Sequence, residues 1–405
     1  MNILFLTMSI MRDVTQNGIY TDLMRKFRDE GHKVYVVTPC ERREGLRTAL
    51  FESAGVQILR VKTLNVQKTN VIEKGLGQVS LEYLYQKAIN RYYKDIKFDL
   101  IIYSTPPITF PNVISNLKKQ NPDAIFYLML KDIFPQNAVD LGMLSKGGVK
   151  GILYKSFRKK EKRIYQLSDW IGCMSPANVQ YVLKHNSEVS PSIVEICPNS
   201  YEVQEDNHDN NTIKKSIRQE HKLPINKPIF IYGGNMGKPQ GIPFLLECLK
   251  ANMDRNDCHF VIVGNGTEYP KIEAWVNSEH PTNVTLYQRL PKVDYDKLAN
   301  ACDVGLIFLD YRFTIPNYPS RLLPYLMGKK PILAATDPNC DTGSLAEANG
   351  YGMWCPSNDV NAFTEVLNKM LKSDLKAMGE KGYEFYLNNY TVQHTYDAIM
   401  KHFSK

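Results

Sequence analysis

Residues 227–241 read KPIFIYGGNMGKPQG, a short apolar run that ends in two adjacent glycines, then a lysine and a further glycine. The run has the length of a strand and the text beyond Gly241 turns helical, so these glycines occupy a strand-to-helix turn. Gly234 lets the backbone approach a ligand closely, and the free amides of a helix start favour a phosphate. Asn235 stands beside it and Lys238 adds a mobile positive charge. A tight turn also needs glycine for its own geometry, so the stretch taken alone supports a phosphate site and a plain turn equally. The pattern GxxxxGK[ST] occurs nowhere in the chain, which excludes a P-loop.

Outward from this stretch the same unit repeats. CHFVIVGNG, NVTLYQR, DVGLIFLD, KPILAAT and YGMWCP follow it, separated by helical patterns. Before it come NILFLTMS, a helical segment from Gly18 to Gly31, KVYVVTP, VQILRV, and a helical face on Leu81, Leu84, Tyr85, Ala88, Ile89 and Tyr92 that leads to FDLIIYSTPP. Alternating strands and helices predict an α/β chain with parallel, doubly wound sheets. At 405 residues the chain exceeds what one core supports, and SYEVQEDNHDNNT (residues 200–212) reads as a linker. The expected division is residues 1–199, the linker 200–212, residues 213–385, and a helical tail over 386–405 that packs back on the first domain. Two such sheets facing one another would form a cleft at the carboxyl ends of their strands, where ligands of open α/β sheets bind.

The formal net charge of +8 suits phosphate-bearing ligands or an anionic membrane surface, and falls short of what a nucleic-acid binder carries. Eight scattered cysteines, with no CxxC pair and no zinc spacing with histidine, read as reduced thiols. The N-terminal stretch lacks the layout of a signal peptide, and no apolar run reaches the ~18 residues of a spanning helix. A cytoplasmic protein is the expectation.

Four further segments carry candidate chemistry. IVGNGTEYPKIE places Gly264 and Gly266 after a strand, without the third glycine and acidic residue of a nicotinamide site. NYPSRLLPYLMGKKPIL (residues 317–333) offers Ser320 as a helix cap with Arg321 in the first turn, and Pro324 fits if the helix starts near Leu322 or Leu323. MLKDIFPQNAVDLGML sets Lys131 and Asp132 at a strand end, where the carboxylate is either a catalyst or a loop cap. YKSFRKKEKRIY, within 152–164 and its flanks, gathers Lys155, Arg158, Lys159, Lys160, Lys162 and Arg163 beside Ile152, Leu153, Phe157 and Ile164; it reads as a membrane-surface helix or a solvated one.

Together these segments resemble the family 4 glycosyltransferases, and within them the branch that builds bacterial capsules and O-antigens, including fucosamine transferases. NGIYTDLMRKFRDEGHKVYVVTP is similar to that family's opening helix. LKDIFPQNAVDLGML is similar to its rDLWPqsavdlG, and YGGNMGKPQGI to its yaGNlGkaqGl. FVIVGNG, LYQRLPKVDYDKLANACDVGLI, PSRLLPYLMGKKPILAAT and MGEKGYEFYLNNYT follow in the family's order. The resemblance implies two Rossmann-like domains in the B-type glycosyltransferase arrangement, with an acceptor on the N-terminal domain and a nucleotide-sugar on the C-terminal one. It implies a retaining hexosyl- or N-acetylhexosaminyl-transferase that needs no metal and no cofactor. Its donor would be a nucleotide-diphosphate sugar, UDP-linked in preference, and its acceptor a lipid-linked saccharide. The protein would sit on the inner face of the plasma membrane through the basic helix. Asp132, Lys238 and Arg321 become the catalytic candidates. Gly18, Gly234, Asn235, Gly264, Gly266, Leu290, Ser320 and Leu322 become the donor-binding ones.

The chain departs from the family at one point. Two glutamates eight positions apart are usual, the second holding the ribose, and here Pro316 and Pro324 stand in their places. Neither side chain can accept a hydrogen bond. The chain also reads MGKKP where aaGkP is usual. A partner subunit without activity and a sugar-nucleotide epimerase are the competing readings.

Overall fold

A computed structural model describes residues 1–65, 71–203 and 211–403. The chain forms two units, Met1–Glu202 with Thr391–Lys405, and Val203–Tyr390.

The first unit is built on eight strands: β1 (Asn2–Leu6), β2 (Lys33–Glu41), β3 (Ala49–Ser53), β4 (Val56–Thr63), β5 (Leu100–Thr105), β6 (Ile125–Leu130), β7 (Trp170–Cys173) and β8 (Val194–Ile196). Their order is β3-β4-β2-β1-β5-β6-β7-β8, parallel except for β3, which pairs antiparallel with β4. Helices cover both faces, so the central strands are apolar throughout; Ile3 to Leu6 of β1 are completely buried. The helix expected from Gly18 spans Ile19–Asp29 and buries Leu23, Met24 and Phe27. The strand order reverses direction between β1 and β5, which places the switch point at the ends of those strands.

The second unit holds β9 (Ile229–Asn235), β10 (His259–Asn265), β11 (Val284–Tyr287), β12 (Val304–Phe308), β13 (Ile332–Thr336) and β14 (Gly352–Pro356). All are parallel, in the order β11-β10-β9-β12-β13-β14. The register sets Gly264 beside Gly234 and Asn265 beside Asn235. A Cβ on Gly264 would lie 1.9 Å from the Gly234 carbonyl oxygen, so only glycine allows these strand ends to run side by side.

Two expectations about the chain's course are corrected. Of the linker 200–212, residues 204–210 lie outside the described residues. Its first residues belong to the first unit: Arg25 donates to Glu202 at 2.6 Å, and the Thr395 hydroxyl donates to Ser200 at 2.7 Å. The tail is not one helix. It runs Leu375–Asn389 and Val392–Met400, because Thr391 takes an extended conformation and bridges to Tyr201. Val392 and Ile399 join the core around Phe5 and Phe27, and His402 stacks on Trp170 at 3.6 Å.

The basic segment lies in the helix Gly148–Leu167. Ile164 and Tyr165 face inward, whereas Val149, Ile152 and Leu153 are 86%, 72% and 47% exposed. Among the described residues no helix is long and apolar enough to cross a membrane. All eight cysteines are free and buried.

Candidate functional site

A cavity of about 410 Å³ opens in the second unit at the carboxyl ends of β9 and β10. Its floor is bare backbone. A Cβ on Gly233 would fall 1.9 Å from the Tyr295 hydroxyl, so the missing side chain lets that tyrosine lie against the strand. Gly234, at φ +126°, occupies a conformation that favours glycine and leaves the Arg321 guanidinium just beyond its Cα.

Arg321 dominates the electrostatics. Its Cζ lies 4.5 Å from the centre of the Tyr232 ring, and its Nη1 is buried with no hydrogen-bond partner. Among the described residues it makes no ion pair. The surrounding phenols do not neutralise it, since burial raises the Tyr295 hydroxyl to about 12 and keeps it protonated. Leaving a charged donor buried and unmet costs about 1–3 kcal/mol or more, and an anion in the cavity would remove that cost. Arg289 and Lys292 add positive charge at the rim, Lys292 being shared with Asp296 at 2.9 Å. Leu290 and Pro324 supply apolar wall.

The helix carrying Pro324 spans Leu322–Met327. Pro324 is its third residue, where an amide would have no helical acceptor, so its ring costs no hydrogen bond; its carbonyl accepts from Gly328 at 3.1 Å. Ser320 does not cap this helix. Arg321 holds the cap position without a side-chain bond, and the first amide, that of Leu322, is met by the Pro319 carbonyl at 3.1 Å, leaving Ser320 exposed.

The structure thus brings Gly234, Asn235, Gly264, Leu290 and Arg321 together around one cavity. It leaves the other second-unit candidates off the lining. Lys238 is exposed in the short turn Lys238–Gln240 and pairs with nothing among the described residues. Gly266 serves packing, since a Cβ would lie 2.4 Å from the Met236 carbonyl oxygen, and the Leu322 side chain is fully buried. Gly233, Tyr232 and Tyr295 escaped sequence reasoning. The doubled glycine was the only available signal, because each tyrosine reads as ordinary core.

In the first unit, Gly18 precedes its helix in an extended conformation, and its amide already donates to Asp22 at 2.8 Å. Asp132 follows β6, half-buried, and desolvation raises its carboxyl to about 6. Its carbonyl accepts from the Thr105 hydroxyl at 3.4 Å, and the preceding Lys131 amide donates to the same hydroxyl at 3.1 Å. The Lys131 ammonium turns away to the Cys197 carbonyl at 3.1 Å, and burial lowers it to about 8. Among the described residues no group of three histidine, cysteine, aspartate or glutamate side chains is placed to hold a metal ion.

Comparison with known proteins bears on the domain that holds this cavity and on the fold of the chain. Residues 213–385 match the family Glycosyl transferases group 1. The probable glycosyltransferase WbjE of Pseudomonas aeruginosa is 23% identical over 322 residues, 77% of this chain and 75% of WbjE. Among solved structures, Anabaena HepE in complex with UDP and glucose superposes with a TM-score of 0.70 at 13% identity, covering 100% of this chain and 99% of HepE. WaaG, a glycosyltransferase involved in lipopolysaccharide biosynthesis, gives 0.67 at 13% identity and 98% coverage of both chains. Residues 213–385 are therefore similar to a group 1 glycosyl transferase domain, within a chain that has the two-unit α/β fold seen in HepE and WaaG.

Proposed function

We propose that the protein is a retaining glycosyltransferase that moves a hexose or N-acetylhexosamine from a nucleotide-diphosphate donor, UDP-linked in preference, to a lipid-linked saccharide in capsule or O-antigen biosynthesis. The observation that carries this is Arg321, a buried guanidinium without a carboxylate partner, set against a glycine floor in the part of the chain that matches the group 1 family. The donor's diphosphate lies against Arg321 and the Gly234 backbone, with the base beside Leu290. The sugar–phosphate bond breaks, the acceptor oxygen bonds to the anomeric carbon on the same face, and the hydroxyl proton passes to the leaving phosphate. A fixed cation aimed at that leaving group stabilises the charge as it develops, without metal. Asp132 receives the acceptor's hydroxyl in the first unit. Support for the UDP preference comes from HepE, solved in complex with UDP and glucose, and for a saccharide acceptor from WaaG, which is involved in lipopolysaccharide biosynthesis.

The exposed Val149, Ile152 and Leu153, with Lys150, Lys155 and Lys159 on the same helix, rest on the anionic inner face of the plasma membrane and keep the enzyme peripheral and cytoplasmic.

Pro324 favours a second reading. It lines the cavity where the resemblance calls for a ribose-binding carboxylate, so a subunit that binds nucleotide weakly and supports an active partner is the alternative. Calorimetry of UDP and GDP, followed by transfer assays with lipid-linked acceptors, separates the two. Binding of UDP that Arg321→Met abolishes, with turnover, supports the transferase; failure of every nucleoside diphosphate to bind, together with a stable complex with an active transferase, supports the second reading, and tight binding by the lone chain counts against it.

A further inference from the structure

A buried arginine that meets no carboxylate is held by packing, and the packing partner then decides where its charge points. The Arg321 guanidinium lies over the face of the Tyr232 ring, its Cζ 4.5 Å from the ring centre, and its Nη1 has no hydrogen-bond partner. A carboxylate would hold this cation equally well but would also neutralise it. An aromatic face attracts the cation and leaves its N–H donors open to a ligand. Among the described residues Tyr232 is the only ring that carries Arg321 in this way. The neighbouring phenols are engaged elsewhere: Tyr325 donates its hydroxyl to the Ile231 carbonyl at 3.1 Å, and Tyr295 lies against Gly233.

Tyr232 is itself fixed at both ends. It is fully buried in β9, its ring edge-on to Phe308 with centres 6.4 Å apart, and burial raises its hydroxyl above the ordinary value, so it stays protonated. That hydroxyl donates to the Asn235 carbonyl at 2.8 Å. Asn235 ends β9 and lines the donor cavity, where a free carbonyl would set its negative end beside an incoming phosphate. Next in the chain, the Met236 amide donates to the Asn265 carbonyl at 2.9 Å and so engages the matching oxygen of the neighbouring strand end. One side chain therefore governs both a cation and a carbonyl on the same wall.

We infer that Tyr232 is a positioning residue of the donor site: its ring keeps Arg321 aimed at the donor's diphosphate, and its hydroxyl draws the Asn235 carbonyl back from that anion. The inference rests on the reading of the cavity as a nucleotide-diphosphate site. Tyr232 touches no donor, being fully buried; it acts through Arg321 and the end of β9.

Tyr232→Phe keeps the ring and loses the hydroxyl, whereas Tyr232→Met and Tyr232→Leu remove the ring with two different apolar shapes, so a folded ringless protein does not depend on one substitution. Calorimetry with UDP should show the ringless variants binding about 10- to 30-fold more weakly than the wild type, as for loss of a desolvated cation–π contact. Tyr232→Phe should lose only about 3- to 10-fold, for the released carbonyl. A second readout needs no ligand: the side-chain Nε–H resonance of Arg321 in ¹⁵N-labelled protein, assigned by its disappearance in Arg321→Met. The ring current of Tyr232 displaces this signal; Tyr232→Phe should preserve the displacement, and the ringless variants should return the signal to the position of an ordinary arginine. A purely structural tyrosine would lower the melting temperature and leave the resonance where it is. A resonance unmoved in the ringless variants, or moved as far in Tyr232→Phe as in them, would overturn the inference, as would equal loss of UDP affinity in all three. A wild-type chain that binds no UDP would count against the transferase reading instead, and the Arg321 resonance would still decide whether Tyr232 holds the guanidinium.

Discussion

The carboxyl ends of the two sheets differ far more than the sheets do. Leaving aside the antiparallel β3, both units run through their first six parallel strands in one order, third-second-first-fourth-fifth-sixth. In the first unit the strand ends carry the buried Ser104 and Thr105 and a half-buried Asp132, with the Thr105 hydroxyl engaged by the Asp132 carbonyl and the Lys131 amide. In the second they carry Gly233, Gly234 and Gly264, with an unpaired guanidinium behind them. Strand order follows from packing apolar strands under helices and is therefore shared; the chemistry rests on a few side chains at strand ends and is free to diverge.

Arg321→Met should have the largest effect. It removes a fixed cation from the second unit's site and should lower the rate of sugar transfer by roughly 10²–10³-fold, the usual consequence of losing one preorganised donor at a developing charge. Calorimetry should show UDP affinity falling too, whereas Asp132→Asn should leave UDP affinity unchanged. Equal losses of UDP affinity in both variants would erase the contrast between the units. Next comes a pair of glycine substitutions. Gly233→Ala forces a Cβ to 1.9 Å from the Tyr295 hydroxyl, and Gly172→Ala in β7 forces one to 2.5 Å from Cys197 Cβ. Each should destabilise by about 1–3 kcal/mol, measured by thermal unfolding. Only Gly233→Ala should also weaken UDP.

Much of this contrast is legible in the sequence. The strands are continuous apolar runs because both sheet faces are covered, and glycines directly after them announce close backbone approach, which is how Gly234, Asn235 and Gly264 emerge. Direction is harder to read. Lys238 stands next to the glycine turn in sequence, but the turn points it to solvent, while Arg321 reaches the same place from 87 residues further on. Tyr232, Tyr295 and Tyr325 converge on Arg321 from three separate elements, and no periodicity distinguishes them from core aromatics. Ser320 looked like a helix cap because residue type suggests one; the Pro319 carbonyl takes that role, which only coordinates show.

Pro324→Glu sharpens the comparison from the other side. It would place a carboxylate on the donor cavity's wall, in the first turn of its helix, where negative charge is favoured by about 0.3–1 kcal/mol. A hydrogen bond from that carboxylate to the donor's ribose should tighten UDP by about 10-fold. Tighter binding of UDP but not of pyrophosphate would identify the ribose as the group the proline fails to hold; unchanged UDP affinity would mean that the wall at Pro324 lies away from it.

The smallest effect is the share of the pH dependence that Asp132 contributes in the first unit. Desolvation raises Asp132 from its ordinary value of 3.8 to about 6, so the folded chain holds this proton more tightly than the unfolded chain does. Between about pH 4 and pH 6 the native state binds more protons, and stability falls as pH rises through that window. Asp132→Asn has no proton to lose. Its melting temperature should track the wild type near pH 4, rise above it through pH 6, and hold a constant margin beyond. Asp337 in the second unit, raised by burial to about 7, lends the wild type a slope of the same sign, but it is present in both proteins and cancels in the difference. A margin that stays flat from pH 4 to pH 7 would mean that Asp132 is ionised as easily in the fold as in water, and the first unit's strand ends would then carry an ordinary carboxylate opposite in charge to Arg321.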